Sequence, residues 1–209
     1  VVDVDNAILH KPRNLSFEEA AGIPFGASTA LYFLNKANIS AGQSVLVNGA
    51  SGAVGSNAVQ IATAMGANVI GVCSSNNTEF VKRLGAAEVI DYKQVSLKNL
   101  ATKFDVVFDT VGNLKFAEYK HLLNPNGIFL QAVATFGELF AKKDHEDGKK
   151  FLTGTAPEKK EDLQVIVDLV EAGKLKPSID KVFEFKDISQ AHEYVETGRK
   201  KGSVVVRIT

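Results

Sequence analysis

The sequence has very little cysteine and no excess of charge of either sign. Cys73 is the single cysteine in 209 residues, which excludes internal disulfides and any cysteine-based zinc site within the chain. Lys and Arg total 24, as do Asp and Glu, and this balance argues against a nucleic-acid-binding protein, which would carry a basic patch. The four histidines lack the spacing of metal ligands. We therefore expect no metal, no nucleic-acid partner and a reducing, cytoplasmic setting.

Long apolar runs are also missing. No run reaches the roughly 18–20 residues that a membrane-spanning helix needs, and no signal peptide precedes the first predicted strand. We therefore expect no membrane span. The chain opens on Val1 rather than Met, which we interpret as the start of a fragment, although processing or a tag scar gives the same first residue.

The middle of the chain alternates short β-rich runs with helical segments. Strands are predicted at residues 44–48, 68–72, 88–90, 104–109, 128–133 and 151–155. Helices are predicted at residues 53–65, 78–84 and 162–172. Strands that are separated by helices run parallel and are joined by crossovers. The pattern therefore predicts an α/β fold with a doubly wound parallel sheet.

The two ends of the chain fall outside this alternation. Strand-like runs occupy residues 1–4, 182–185 and 203–208, with a helix predicted near residues 188–197. The last strand has no helix after it. These pieces indicate an incomplete second domain. The charged run at 142–150 is interpreted as a solvated loop.

A glycine-rich turn at residues 49–55 lies directly between the first predicted strand and the helix that follows it. Backbone N–H groups at a helix N-terminus bind phosphate, and only small residues let a pyrophosphate come close. The spacing is G-x-x-G-x-x-G, not the commoner G-x-G-x-x-G, so an ordinary tight turn stays the alternative. No Lys-Ser/Thr pair follows the last glycine, which excludes a Walker A loop. The context predicts a dinucleotide site.

The end of the second predicted strand indicates which dinucleotide. An NAD site carries Asp or Glu there, about 20 residues after the glycines, to bind the ribose 2′-hydroxyl. This chain has Ser74, Ser75, Asn76 and Asn77 instead. Their hydroxyl and amide groups can donate hydrogen bonds to a 2′-phosphate, which a carboxylate would repel. NADP(H) is therefore favoured over NAD(H). No Arg or Lys stands beside these residues in the sequence, which weakens the preference.

Several other residues have structural interpretations. Cys73 is interpreted as a small core residue, and Asp109, at the end of the fourth strand, as a residue that fixes a loop. Phe25, Tyr32 and Phe33 have helical spacing and are predicted to lie in the core.

A set of motifs spans nearly the whole chain. Besides the glycine turn, they are NLSFEEAA at 14–21, STA at 28–30, LGAAEVIDY at 84–92, FDTVG at 108–112, GKLKP at 173–177 and AHEYVETG at 191–198. Together they resemble the medium-chain dehydrogenase/reductase superfamily, specifically its zinc-independent quinone oxidoreductase-like branch. In that family a GroES-like catalytic domain precedes a Rossmann domain. The resemblance implies a Rossmann domain at 13–178, with 1–12 and 179–209 as remnants of a catalytic domain that is otherwise missing.

The resemblance also implies where a cofactor would bind. The pyrophosphate would lie on the glycine turn, the adenosine ribose phosphate by the serines that follow the second strand, the adenine beside Tyr92, and the nicotinamide near Thr29. The residues expected to bind NADP(H) are Thr29, Gly49, Ser51, Gly52, Ala53, Val54, Gly55, Ser74, Ser75, Asn76, Tyr92, Val111, Ala132 and Val133. Relatives often carry Lys or Arg in place of Asn76 or Asn77. No catalytic residue is assigned.

The implied reaction is hydride transfer from NADPH to a quinone or to the β-carbon of an α,β-unsaturated carbonyl, for which the protein supplies position and polarity. We expect this chain alone to bind cofactor, to be inactive and to form a homo-oligomer. Two alternatives stay open. One is a non-catalytic dinucleotide-binding or sensor module, and the other is part of a zinc-dependent alcohol dehydrogenase whose ligands lie outside the chain.

Overall fold

The computed structural model describes residues 8–133, 146–157 and 159–208. Six strands within them form one sheet in the order β3-β2-β1-β4-β5-β6, and every pairing is parallel. The strands are β1 Ser44–Asn48, β2 Asn68–Cys73, β3 Glu88–Asp91, β4 Phe104–Asp109, β5 Leu123–Gln131 and β6 Lys150–Thr153. The chain starts in the middle of the sheet and winds outward in both directions, which is the Rossmann order. The predicted doubly wound α/β fold is confirmed.

Helices cover the sheet mainly on one face. They are α1 Phe17–Ala21, α2 Pro24–Lys36, α3 Ala53–Ala64, α4 Thr78–Arg83, α5 Phe116–Tyr119, α6 Lys160–Glu171 and α7 Ile188–Glu196. Val45 and Val47 of β1 pack in a buried cluster with residues of α2, α3 and α6, whereas Leu46 points into a second cluster on the other face. Both faces of the central strands are therefore buried, which explains their continuous apolar sequence.

The elements predicted within the described residues match the observed ones apart from their ends and one misplaced side chain. β5 begins at Leu123, five residues before the predicted start at 128, because Leu123 pairs with Phe104 across an irregularity in the register. Phe33 is buried in the core and Tyr32 packs against it, but Phe25 is 78% exposed, so its predicted core position is wrong. Helical spacing placed these side chains on a helix without specifying the face that each occupies.

Residues 179–208 form a separate β-α-β unit. β7 (Ile179–Glu184) and β8 (Ser203–Arg207) pair in parallel as a two-stranded sheet, with α7 between them in the chain. Two contacts hold β8 to the segment around α1. The Arg207 guanidinium donates to Glu18 at 2.9 Å, and the Ser203 hydroxyl donates to the Gly22 carbonyl at 2.9 Å.

The same unit is attached to α3. The Gln60 side chain donates to the Lys176 carbonyl at 3.1 Å and accepts from the Lys176 amide at 2.9 Å, just before β7 begins. A single backbone bridge also joins Gly52 to Gly202. The unit is thus fixed against the Rossmann sheet.

Two predictions fall wholly or partly outside the described residues. The strand predicted at 1–4 and residues 142–145 of the charged run lie outside the described residues. Residues 146–148 form one turn of 3-10 helix and Lys150 begins β6. None of the described helices is both long and apolar enough to cross a membrane.

Candidate functional site

A cleft of about 980 Å³ opens at the carboxyl ends of four strands of the large sheet. Asn48 and Gly49 lie at the end of β1, Ser74 follows β2, Thr110 follows β4 and Ala132 follows β5. β1 and β4 are neighbours in the sheet although they are not consecutive in the chain, so the strand order reverses here. Ligands of open α/β sheets bind at this reversal point.

Most of the predicted site residues line this one cleft. They are Thr29, Gly49, Ser51, Gly52, Ala53, Val54, Ser74, Asn76, Tyr92, Val111, Ala132 and Val133. Gly55 and Ser75 do not line it. A Cβ at Gly55 would lie 2.1 Å from the Gly49 carbonyl oxygen, so this glycine lets α3 pack tightly against the turn. Ser75 is exposed at the start of a short 3-10 turn.

The glycine turn leaves open the space that a phosphate pair needs. Gly49 has a φ of 80°, a left-handed conformation that favours glycine, and its N–H donates to the Val72 carbonyl at 3.1 Å. Gly52 is the N-cap of α3 and has no side chain to bond the N–H groups of the first turn. A Cβ at Gly52 would meet only the Gly49 carbonyl oxygen, at 3.4 Å. The turn therefore offers helix N–H donors in an open cradle, which fits a pyrophosphate.

A buried thiol, that of Cys73, ends β2, and polar side chains follow it. The Asn77 amide donates to the Ser51 hydroxyl at 3.0 Å and so ties this segment to the glycine turn. Burial, together with the nearby charge of Asp91, raises the pKa of the Cys73 thiol to about 11. Cys73 is therefore an uncharged, buried thiol, as its interpretation as a core residue requires.

The loop after β4 is held by one buried carboxylate. Asp109 is fully buried and accepts four hydrogen bonds, from the Asn48 amide at 2.8 Å and from the backbone N–H groups of Val111, Gly112 and Leu114 at 3.0, 3.1 and 2.9 Å. These bonds hold Val111 at the cleft, where it is 50% exposed. Asp109 thus fixes the loop, as the sequence indicates.

The charged groups that line the cleft are all positive. They are Lys93, Arg199, Lys200 and Lys201, and no Asp or Glu is among the lining residues of the described chain. Burial lowers the pKa of Lys200, and the charge of Asp180 acts against that shift. A chain with no net charge therefore has a cationic cleft, which attracts anionic ligands.

Sequence reasoning missed these cations. Arg199, Lys200 and Lys201 come from the segment that was assigned to the second domain, far along the chain from the glycine turn. The available signal was the basic triplet between Gly198 and Gly202, just before the last strand. Its position could not be connected to the turn without the fold. Phe25 was missed as well, because it was predicted to be in the core but lines the cleft.

The described residues hold no group of three or more His, Cys, Asp and Glu side chains that could bind a metal ion.

The hydroxyl of Thr29, on α2, donates to the Phe25 carbonyl at 2.8 Å within the helix. The site therefore consists of backbone donors, small hydroxyls and amides, cations, and an apolar rim.

A doubly wound sheet with a glycine turn and a cationic cleft at its reversal point is a nucleotide-binding domain of the Rossmann class. Comparison with known families specifies it further. A family model described as zinc-binding dehydrogenase matches residues 84–206. The chain belongs to this family, as the nucleotide-binding portion of a medium-chain dehydrogenase/reductase.

Curated relatives and solved structures agree with this assignment. The chain is 35% identical to NAD(P)H oxidoreductase RTN4IP1, mitochondrial, of Bos taurus, over 100% of this chain and 60% of that protein. It is 36% identical to 2-methylene-furan-3-one reductase of Solanum lycopersicum, over 94% of this chain and 48% of that protein. The quinone oxidoreductase from Coxiella burnetii superposes with a TM-score of 0.86 at 30% identity, over 96% of this chain and 64% of that one. The chain thus spans about half to three fifths of these curated relatives.

Proposed function

We propose that this chain is the NADP(H)-binding part of an oxidoreductase that transfers hydride to a quinone or to an α,β-unsaturated carbonyl. The observation that carries the proposal is the cleft in which the open glycine turn meets a lining whose charged groups, among the described residues, are all positive. Relatives named as an NAD(P)H oxidoreductase, a furanone reductase and an NADPH-dependent alkenal/one oxidoreductase support the reaction class. Because the chain spans only part of each relative, the activity of the whole protein is part of the proposal.

Each part of the cleft suits one part of the cofactor. The turn at Gly49, Ser51 and Gly52, with the first N–H groups of α3, would hold the pyrophosphate. Ser74 and Asn76 would lie by the 2′-phosphate, and the part of the cleft lining that the structure describes has no carboxylate to repel it. Lys93 and the cations at 199–201 would attract the pyrophosphate and the 2′-phosphate alike.

The other end of the cleft is apolar. Val111 and Val133 are 50% and 56% exposed, and Phe25, which is 78% exposed, also lines the cleft. Thr29 and the backbone at Ala132 would complete the surroundings of the nicotinamide. NADPH would supply the hydride, and these residues would hold its nicotinamide ring and keep water from it. The chain spans only about half to three fifths of its curated relatives, so we propose that this chain alone binds cofactor without turnover.

We further propose a boundary near residue 178 between the Rossmann domain and the β7–α7–β8 unit, with residues 1–12 belonging to the second domain. The unit has its own sheet, which supports this division. A homo-oligomer stays a prediction, to be tested by sizing chromatography. The cytoplasmic location also stays a prediction, since the relatives include proteins named as mitochondrial.

The proposed function is tested by titrating the chain with NADPH and with NADH and following nicotinamide fluorescence. NADPH is expected to bind on the order of tenfold more tightly, because its extra phosphate gains charge-assisted hydrogen bonds in a cleft lined by cations. The preference should shrink as salt concentration rises, since salt screens these charges. Equal affinities, or tighter binding of NADH, would contradict the assignment of the cofactor.

Replacing Asn76 with arginine tests where the 2′-phosphate lies. The new guanidinium is expected to strengthen NADPH binding by about tenfold and to leave NADH binding unchanged, because it adds a bidentate charged donor next to the phosphate. Ser75→Arg is the matched control, since Ser75 is adjacent in the chain but does not line the cleft. An equal gain from Ser75→Arg would show a general charge effect and would contradict the position proposed for the 2′-phosphate beside Asn76.

A further inference from the structure

The basic loop, which we define as residues 197–201, forms one wall of the cleft although it belongs to neither a helix nor a strand. It carries Arg199, Lys200 and Lys201 in succession, and three like charges in a row repel one another. The Arg199 amide donates to the Thr197 hydroxyl at 3.3 Å within the loop, and the Lys200 ammonium donates to the carbonyl of the next residue after the loop, Gly202, at 2.9 Å. Contacts beyond the loop must therefore set its place in the cleft wall.

One such contact is to a single carboxylate oxygen. Asp180 Oδ2, on β7, accepts from the Lys201 amide at 3.1 Å and from the Tyr194 hydroxyl at 2.6 Å. The Lys181 ammonium lies 3.8 Å from the centre of the Tyr194 ring, which gives the tyrosine a second contact to β7. Asp180 thus joins β7, α7 and the basic loop at one point.

The far end of the loop is attached to the glycine turn. The Gly202 amide donates to the Ser51 carbonyl at 2.8 Å. Gly202 has a φ of 68°, and a Cβ there would lie 2.1 Å from the Ser178 carbonyl oxygen, so the chain can make this approach only with glycine. The basic loop is therefore held by Asp180 on one side and lies next to the glycine turn on the other.

We propose that Asp180 is a positioning residue for cofactor binding, which holds the basic loop in the cleft wall so that its cations act on the phosphates of NADPH. The proposal rests on the proposed function. Asp180 does not itself line the cleft, and its effect passes through the Lys201 amide and the Tyr194 hydroxyl. Without these bonds the like charges of the loop would move apart into solvent, where salt screens them.

The proposal makes a prediction opposite to that of simple electrostatics. Asp180 is a negative charge near a cationic cleft, so its removal alone would raise the local potential and strengthen the binding of an anion. If Asp180 positions the cations, its removal instead weakens that binding. The direction of the change therefore separates the two effects.

The experiment compares Asp180→Ala, Tyr194→Phe and Glu193→Ala in the full 209-residue chain, with NADPH as the probe at low and high ionic strength. Asp180→Ala is expected to raise the Kd for NADPH by about tenfold and to flatten its dependence on salt, because a charge-bearing anchor of the cations is lost. Tyr194→Phe keeps Asp180 and the Lys201 bond, and a rise of roughly threefold is expected. Glu193→Ala removes an exposed charge from α7 and should leave the Kd unchanged.

Circular dichroism and thermal unfolding accompany each titration, because loss of stability alone lowers the melting temperature without changing the salt dependence of binding. An unchanged or lower Kd in Asp180→Ala overturns the inference while the unmodified chain still binds NADPH. An equal loss in Glu193→Ala also overturns it. If Asp180→Ala does not fold, the Tyr194→Phe result decides, and an unchanged Kd there overturns the inference. Absence of NADPH binding by the unmodified chain overturns the proposed function and the inference with it.

Discussion

Replacing Gly52 with valine is expected to raise the Kd for NADPH by about a hundredfold or more, while the chain stays folded. Gly52 has extended backbone angles, with φ −80° and ψ 179°, which any residue adopts. A Cβ there touches only the Gly49 carbonyl oxygen, at ordinary contact distance, so the fold has room for a side chain. The branched side chain would instead occupy the open cradle at the start of α3. The measurements are nicotinamide fluorescence for binding and circular dichroism for the fold.

Gly55→Ala is the matched control for this prediction. The same turn contains Gly55, but a Cβ there would lie 2.1 Å from the Gly49 carbonyl oxygen and 2.7 Å from its carbon, both backbone atoms that cannot move aside. We expect this variant to lose stability, and to lose binding only as a consequence. If Gly52→Val binds NADPH normally, the pyrophosphate lies elsewhere. If it unfolds, the turn is structural and the alternative of an ordinary tight turn is supported.

The second large effect is expected from Asp109→Ala, which removes the acceptor of four hydrogen bonds inside the protein. The Leu114 amide and the Asn48 side chain lose a buried partner, so the free energy of unfolding should fall by about 3–4 kcal/mol. The loop that presents Val111 would also loosen, and NADPH binding should weaken with it. Urea unfolding gives the stability, and the fluorescence titration gives the affinity.

Asp105→Ala is the control that separates the loss of stability from the loss of NADPH affinity. Asp105 lies near the opposite end of β4 and bonds the Ser44 amide, the Ser44 hydroxyl and the Asn124 side chain at 2.8–2.9 Å, far from the cleft lining. Burial acts to raise the pKa of this carboxyl, and the bonds from Ser44 and Asn124 outweigh it, so the pKa lies below its ordinary value. We expect a smaller loss of stability than for Asp109→Ala and an unchanged Kd for NADPH. Normal NADPH affinity in Asp109→Ala would contradict the role of the loop in the site.

The parts of the fold that sequence predicted well are those with local causes. Apolar β-branched runs such as residues 44–48, followed at once by glycines and a helix, indicate a strand, a turn and a crossover without any distant partner. The glycine turn was found for the same reason. Asp109 was also interpreted correctly, because its bonds go mostly to residues only two to five positions later.

The parts that sequence missed depend on long-range packing. The face that a side chain occupies on α2 is set by which strands lie beneath it, so Phe25 was placed in the core although it lines the cleft. The start of β5 was missed because the pairing of Leu123 with Phe104 extends the strand beyond its apolar run. The cations at 199–201 were missed because only the complete fold brings them to residue 51.

The backbone contact between Ser51 and Gly202 has a consequence for the order of folding. It closes a ring of chain that contains β2 to β7 and α7 and ends just before β8, so it is among the contacts of high sequence separation in the described residues. During synthesis the glycine turn leaves the ribosome before any of the strands β2 to β6, whereas the basic loop leaves it after all of them. A nascent chain with a complete Rossmann sheet would thus still lack the basic wall of its cleft. Tight binding of the phosphates would therefore follow the completion of the Rossmann sheet and not accompany it.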